Sequence, residues 1–225
     1  MNATKEHDMA EKGVMDSLGA IGIEFGEIVI DSFMKDGLLR DIPIIGTAFS
    51  VAKLITGVSD IILLKNITVF MRELDFKSDD ERDEFKKKYL NLNDFKRIGE
   101  KIILFLNAAD DEKKIRWLTK ALRILVDNEI NEEDFLRLTM IIKNSFPDYV
   151  EELRHFKTNK EIASDKGIVK DYVLEHLHSV GFLSSKSGGI EMNEKLEGWS
   201  GEVKQNMVFY TTEFGKMMLE HIINS

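Results

Sequence analysis

The chain contains no cysteine and only two prolines, Pro43 and Pro147, in 225 residues. The first absence excludes disulfides, thiolate metal sites and cysteine nucleophiles. The second leaves long stretches free to be helical, because proline removes a backbone donor and clashes with the preceding turn. Short catalytic signatures are missing as well. There is no Gly-x-Ser-x-Gly, no P-loop, no dinucleotide fingerprint and no His-Glu-x-x-His. Positive charge is in deficit, with 31 basic against 40 acidic residues and a net charge of −9. Such a field repels phosphate backbones and disfavours general nucleic-acid binding. The first eight residues are polar and carry acids, where a secretory signal needs a basic start and then an apolar run. A cytoplasmic location is therefore expected, with the sequons at Asn2 and Asn66 left unglycosylated.

What is present is the balance of a globular protein, 43% hydrophobic and 32% charged. The length allows one large domain or two small ones. After a polar leader over residues 1–12, a helix is expected over residues 13–34. Gly19, Gly22 and Gly26 share one of its faces, at i, i+3 and i+7. Three glycines weaken an isolated helix by roughly 1 kcal/mol each relative to alanine. Close approach of another backbone is the usual compensation.

Asp36-Gly37 reads as a stop, and Asp41-Ile42-Pro43 as the opening of a second helix with proline in its first turn. Residues 42–71 are apolar nearly all round. The longest uncharged run, residues 42–52, falls well short of the roughly 20 residues a membrane span needs. A buried hub helix is the favoured reading, with a membrane segment as the alternative.

Beyond it, Ser78-Asp79-Asp80-Glu81 forms a capping box. Asn93-Asp94 opens a helix carrying Phe95, Ile98, Ile102, Phe105 and Leu106. Asp110 or Asp111 caps the next, with Trp117, Leu118, Ala121, Leu122 and Leu125 inward. Asn131 caps one with Phe135, Leu138, Ile141 and Ile142 inward. These three-and-four spacings predict an antiparallel helical bundle over residues 13–156.

From residue 157 the texture changes. A helix is expected over residues 168–180, stopped by Gly181. A Ser/Gly-rich loop follows over residues 184–189. Short strands near residues 190–192 and 207–210 flank a loop containing Trp199, and a last helix runs to Ile223. Leu177, Val180-Gly181-Phe182-Leu183, a glycine-bearing hairpin and Tyr210-Thr211-Thr212-Glu213-Phe214-Gly215 together resemble the second half of bacterial winged-helix domains. That resemblance implies a winged-helix-like subdomain over residues 157–225. The Asp41-Ile42-Pro43-Ile44-Ile45-Gly46 segment, ahead of such a tail, is similar to a class of uncharacterised bacterial and prophage proteins. This second resemblance implies bacterial or phage origin and a setting in phage defence or counter-defence. It implies no catalytic activity.

The expected fold class is therefore mainly α, with an N-terminal bundle and a winged-helix-like tail carrying a small β-hairpin. Candidate chemistry is sparse. His176 and His178 stand two apart, so on a helix they point to nearly opposite sides and cannot share a metal. Asp127-x-Glu129-x-Asn131 lacks the glycine and the distal acid of a calcium loop. The acid pairs at residues 79–80 and 110–111 sit where helix caps belong. No cofactor, metal or catalytic residue is assigned.

The leading expectation is a non-enzymatic interaction and oligomerisation protein that binds a protein partner and itself. Gly19, Gly22, Gly26, Ile44, Ile45, Phe49 and Trp199 are its expected contact residues. The alternatives are a membrane-acting effector using the apolar N-terminal helices, or a winged-helix DNA-binding regulator. The last would use Lys166, Lys170 and Lys186. From residue 157 onward, however, eight lysines face ten acids with no arginine. A DNA-reading face normally needs a basic stripe with arginine for base edges.

Overall fold

The structure is a computed structural model, and residues 58–192 and 203–223 are described. Gly19, Gly22, Gly26, Ile44, Ile45, Phe49 and Trp199 lie outside the described residues. So do the helix expected over residues 13–34 and the first part of the one over 42–71. The described chain is mainly helical with one three-stranded antiparallel sheet. It forms two compact units, divided between Leu136 and Arg137.

The first unit contains α1 (Val58–Leu74), α2 (Asp79–Leu90), α3 (Phe95–Ala108) and α4 (Glu112–Val126). The starts of α2, α3 and α4 are each set by a short polar side chain. Ser78 Oγ accepts from the Glu81 N–H, Asp94 from the Arg97 N–H and Asp111 from the Lys113 N–H. The capping box at Ser78 is modified. The Glu81 carboxylate accepts from the Lys77 N–H at 2.8 Å, one residue before the usual partner.

α1 packs against α3 and α4, and α2 against α4. The expected inward stripes are buried, including Ile98, Ile102, Leu106, Leu118, Ala121 and Leu122; Phe95 is only half-buried. Each such large side chain contributes about 1.5–3 kcal/mol on leaving water.

Two buried polar groups tie these helices together. The Asn66 amide on α1 donates to the carbonyls of Leu106 (2.8 Å) and Ala109 (3.0 Å), satisfying the open C-terminal end of α3. The Tyr89 hydroxyl donates to the Phe95 carbonyl. Asn66 is 5% exposed, so a glycan there is incompatible with this packing. Asp127, Glu129 and Asn131, the faint calcium-loop residues, instead belong to a turn in which the Glu129 N–H donates to the Ile124 carbonyl at 2.9 Å. Asp127 ends α4, Asn128 is left-handed (φ 61°) and Asn131 Oδ1 accepts from the Asp134 N–H.

The helix α5 (Glu132–Asn144) crosses the division between the units. Of its expected inward residues, Phe135, Leu138 and Ile142 are buried and Ile141 is half-buried. The second unit continues with α6 (Pro147–Glu151), a 3-10 turn at Glu152–Lys157, β1 (Ile162–Ala163) and a 3-10 turn at Ser164–Lys166. Then come α7 (Asp171–Val180), β2 (Leu183–Met192), β3 (Val203–Thr211), α8 (Glu213–Met217) and a π-helical turn at Met218–Ile222.

Gly181 ends α7 in the left-handed region (φ 104°), as its position predicts. The Phe182 N–H reaches back to the Leu177 carbonyl at 2.9 Å and the Gly181 N–H to that of His178 at 3.1 Å.

The strand order is β1-β3-β2, all antiparallel. Two expectations need correcting. Residues 184–189, expected as a loop from their Ser/Gly content, belong to β2, paired along β3 from Leu183↔Thr211 to Met192↔Val203. The composition misleads because small residues are needed there. The ladder shifts register between Ser187 and Gly189, and a Cβ on Gly188 would lie 2.9 Å from Val208 Cγ2 and 3.1 Å from the Asn206 carbonyl. The helix expected from residue 168 begins only at Asp171, because Gly167 is left-handed (φ 63°) and Lys170 is extended.

Candidate interaction surface

The second unit presents a cluster of rings to solvent. Pro147 occupies the first turn of α6, where its missing N–H is not needed, and fixes the chain direction at Phe146. Tyr149 lies one turn on. The inner face of α7 is built from Val173, Leu174 and Leu177, all buried. That burial turns Tyr172 and His176, four apart, to the outer face.

The two segments meet there. Phe146 stacks 5.4 Å from Tyr149 and 5.1 Å from His176, centroid to centroid. Tyr149 lies 5.6 Å from Tyr172 and 5.3 Å from His176. The Phe146 N–H donates to His176 Nε2 at 3.2 Å. These contacts are tilted or edge-on, the geometry that aromatic quadrupoles favour.

Phe146 is 61% exposed and Tyr172 52% exposed, an unusual state for two clustered large rings. Met140 and Ile168, in the same unit, are also exposed. The charge around the rings is mixed. Lys170 Nζ stands 5.7 Å from the Tyr172 ring centroid. Asp171 and Glu175, on the solvent side of α7, are exposed and make no side-chain ion pair or hydrogen bond among the described residues.

The three lysines considered for DNA contact are spread over three elements. Lys166 is exposed at the end of the Ser164–Lys166 turn, Lys170 immediately precedes α7, and Lys186 lies on β2. Lys186 is paired with Glu161 at 2.5 Å. Its charge is therefore partly met, and Lys170 is turned toward an aromatic face.

The two close histidines diverge, as their spacing predicts. His176 joins the rings, whereas His178 lies 3.2 Å from Ser185 Oγ and packs edge-on to Phe209. Among the described residues no group of three or more His, Cys, Asp or Glu is placed to hold a metal ion. Nor is any helix among them long and apolar enough to cross a membrane.

Phe146, Tyr149 and Tyr172 were not identifiable from sequence as a site. The usable signal is modest: two rings at i, i+4 on a helix whose other face is apolar, and a Phe-Pro-x-Tyr helix start. Nothing in the sequence says that residues 146–149 and 172–176 meet. No family model, curated protein or solved structure matches the chain.

Proposed function

We propose that the chain is a non-enzymatic interaction protein whose C-terminal unit is a winged-helix-like module binding a protein partner. The contact surface would be formed by Phe146, Tyr149, Tyr172 and His176. The winged-helix reading is supported by the order of the elements. A helix, α7, leads into a hairpin whose second strand also pairs with a short upstream strand, and α8 follows.

The observation that carries the protein-binding reading is the outer face of α7. In DNA-reading modules of this kind the equivalent helix enters the major groove, and its outer face carries donors for base edges and charge for phosphates. Here that face carries Tyr172 and His176 among the unpaired carboxylates of Asp171 and Glu175. Exposed tyrosine and phenylalanine suit protein interfaces, where large rings supply contact area at low entropy loss.

Self-association through Gly19, Gly22 and Gly26, with Ile44, Ile45 and Phe49, belongs to the same proposal and rests on sequence alone. So does a setting in phage–host conflict. Gly22→Leu should lower the solution mass seen by light scattering while leaving the helical circular dichroism intact.

Titration with a labelled DNA duplex at low salt separates protein from DNA recognition. The expected result is no saturable binding. Salt-sensitive binding that disappears in the Lys166→Gln, Lys170→Gln, Lys186→Gln triple variant would overturn the reading.

A further inference from the structure

We infer that the ring surface on α6 and α7 recognises a basic segment of the partner, seating an arginine or lysine side chain against the Tyr172–His176 face. The inference rests on the protein-binding reading above and specifies the chemistry of the occupant.

Two observations point to a cation. The first is that the molecule already sets one against these rings, because Lys170 Nζ stands 5.7 Å from the Tyr172 centroid. The electron-rich face of a phenol ring attracts an ammonium or guanidinium group, and the attraction grows as the pair is desolvated. The second is charge complementarity. Asp171 and Glu175 flank Tyr172 on the solvent side of α7 and have no basic partner among the described residues. Glu175 stands three residues after Tyr172 and one before His176, so the carboxylate and both rings share one helical face. Exposed carboxylates beside exposed rings can meet the charge of an arginine while the rings cover its planar stem.

An acidic partner would meet repulsion from Asp171 and Glu175. A purely apolar one would have to bury two unpaired carboxylates, which costs free energy unless they are paired. Lys170 is then a built-in competitor, occupying the ring face that the incoming cation would take.

The test uses the full chain and two capped peptides of alternating glycine with arginine or with citrulline. Citrulline keeps the planar side chain and removes the charge. Binding is followed through the NMR signals of the Tyr172 and His176 rings and quantified by calorimetry. The arginine peptide should bind at least tenfold more tightly than the citrulline peptide.

Tyr172→Leu and Glu175→Gln should each weaken it by about threefold to tenfold, the range expected for an exposed cation–ring contact or ion pair. Lys170→Gln should tighten it by about threefold, and that gain should vanish in the Tyr172→Leu background. Both side chains are exposed, so unchanged thermal melting serves as the folding control.

Equal binding of the two peptides, or arginine binding indifferent to Tyr172→Leu, overturns the inference. So does a gain from Lys170→Gln that persists without Tyr172, because that marks the general pull of a net negative chain. Should a photo-crosslinking amino acid at position 172 trap a protein partner while the arginine peptide fails to bind, this inference falls and the protein-binding reading stands. Should nothing be trapped there, the reading itself falls.

Discussion

Gly215 lies against the carbonyl oxygen of Phe182 so closely that no Cβ fits between them; any side chain there would meet backbone inside van der Waals contact. The approach is held by Thr212, the N-cap of α8. Its hydroxyl accepts from the Gly215 N–H at 3.2 Å and donates to the Gly181 carbonyl at 2.7 Å, with that of Phe182 at 3.1 Å. Its own N–H donates to Phe182 at 3.0 Å. The end of α7, the end of β3 and the start of α8 are thus locked at one point. Gly215→Ala should destabilise the second unit by about 1–3 kcal/mol or more, since the obstructing atom is backbone and cannot rotate away. Thermal melting followed by near-ultraviolet circular dichroism measures it, and a melting temperature equal to the parent would contradict this packing.

Asn66 makes a comparable link in the first unit. Replacing it with alanine removes the partner of two carbonyls, those of Leu106 and Ala109, at the end of α3. The expected loss is about 1–3 kcal/mol, with the larger value applying if water cannot reach the freed carbonyls. Urea titration reads this as a lower midpoint at unchanged slope.

Tyr89 offers a smaller, cleaner test. Burial raises its phenol pKa, so the hydroxyl stays protonated as a donor to the Phe95 carbonyl across the neutral range. Tyr89→Phe keeps the ring and its edge-on contact with Phe95. It should lose about 0.5–1.5 kcal/mol in the same urea titration.

Acid should weaken the first unit through three carboxylates. Glu81 is held below its ordinary 4.5 by the Lys77 N–H and then by Arg123; Glu112 is lowered mainly by Lys65. Asp110 is held below 3.8 by its hydrogen bond with Lys114. Each is depressed in the folded chain. Its contribution is therefore complete above the unfolded value and lost as pH falls through the lower folded one. Stability should be flat from neutral pH to about 5 and fall below about 4. In the Glu81→Gln, Asp110→Asn, Glu112→Gln triple variant that fall should be shallower. All three groups are solvent-accessible, so the difference will be modest.

The helices from residue 79 to 144 are legible in the sequence because each carries two independent signals, a capping side chain and either an apolar stripe or, in α2, acids in the first turn with lysines in the last. Asp94 and Asn131 cap as expected, and at the acid pair it is Asp111 that caps, while Asp110 pairs with Lys114. Of β2 only residues 190–192 are legible as a strand, because Ser184 to Gly189 has loop composition. What makes it a strand is its partner β3, some twenty residues away and invisible to local pattern. β1 was hidden for the same reason, since two residues pairing with Phe209 and Val208 leave no periodicity to read. The ring surface escaped because it is tertiary. Phe146 and His176 are thirty residues apart in the chain, and only folding brings the N–H of one to the imidazole of the other.

The most direct measurement places a photo-crosslinking amino acid at position 172 of the full chain in its native cells. The same probe at exposed Lys101 on α3 serves as the control. Protein binding through the α7 face predicts a discrete protein adduct from position 172 that is absent from position 101. Adducts to DNA at position 172, or no adduct distinguishable from the control, would contradict it.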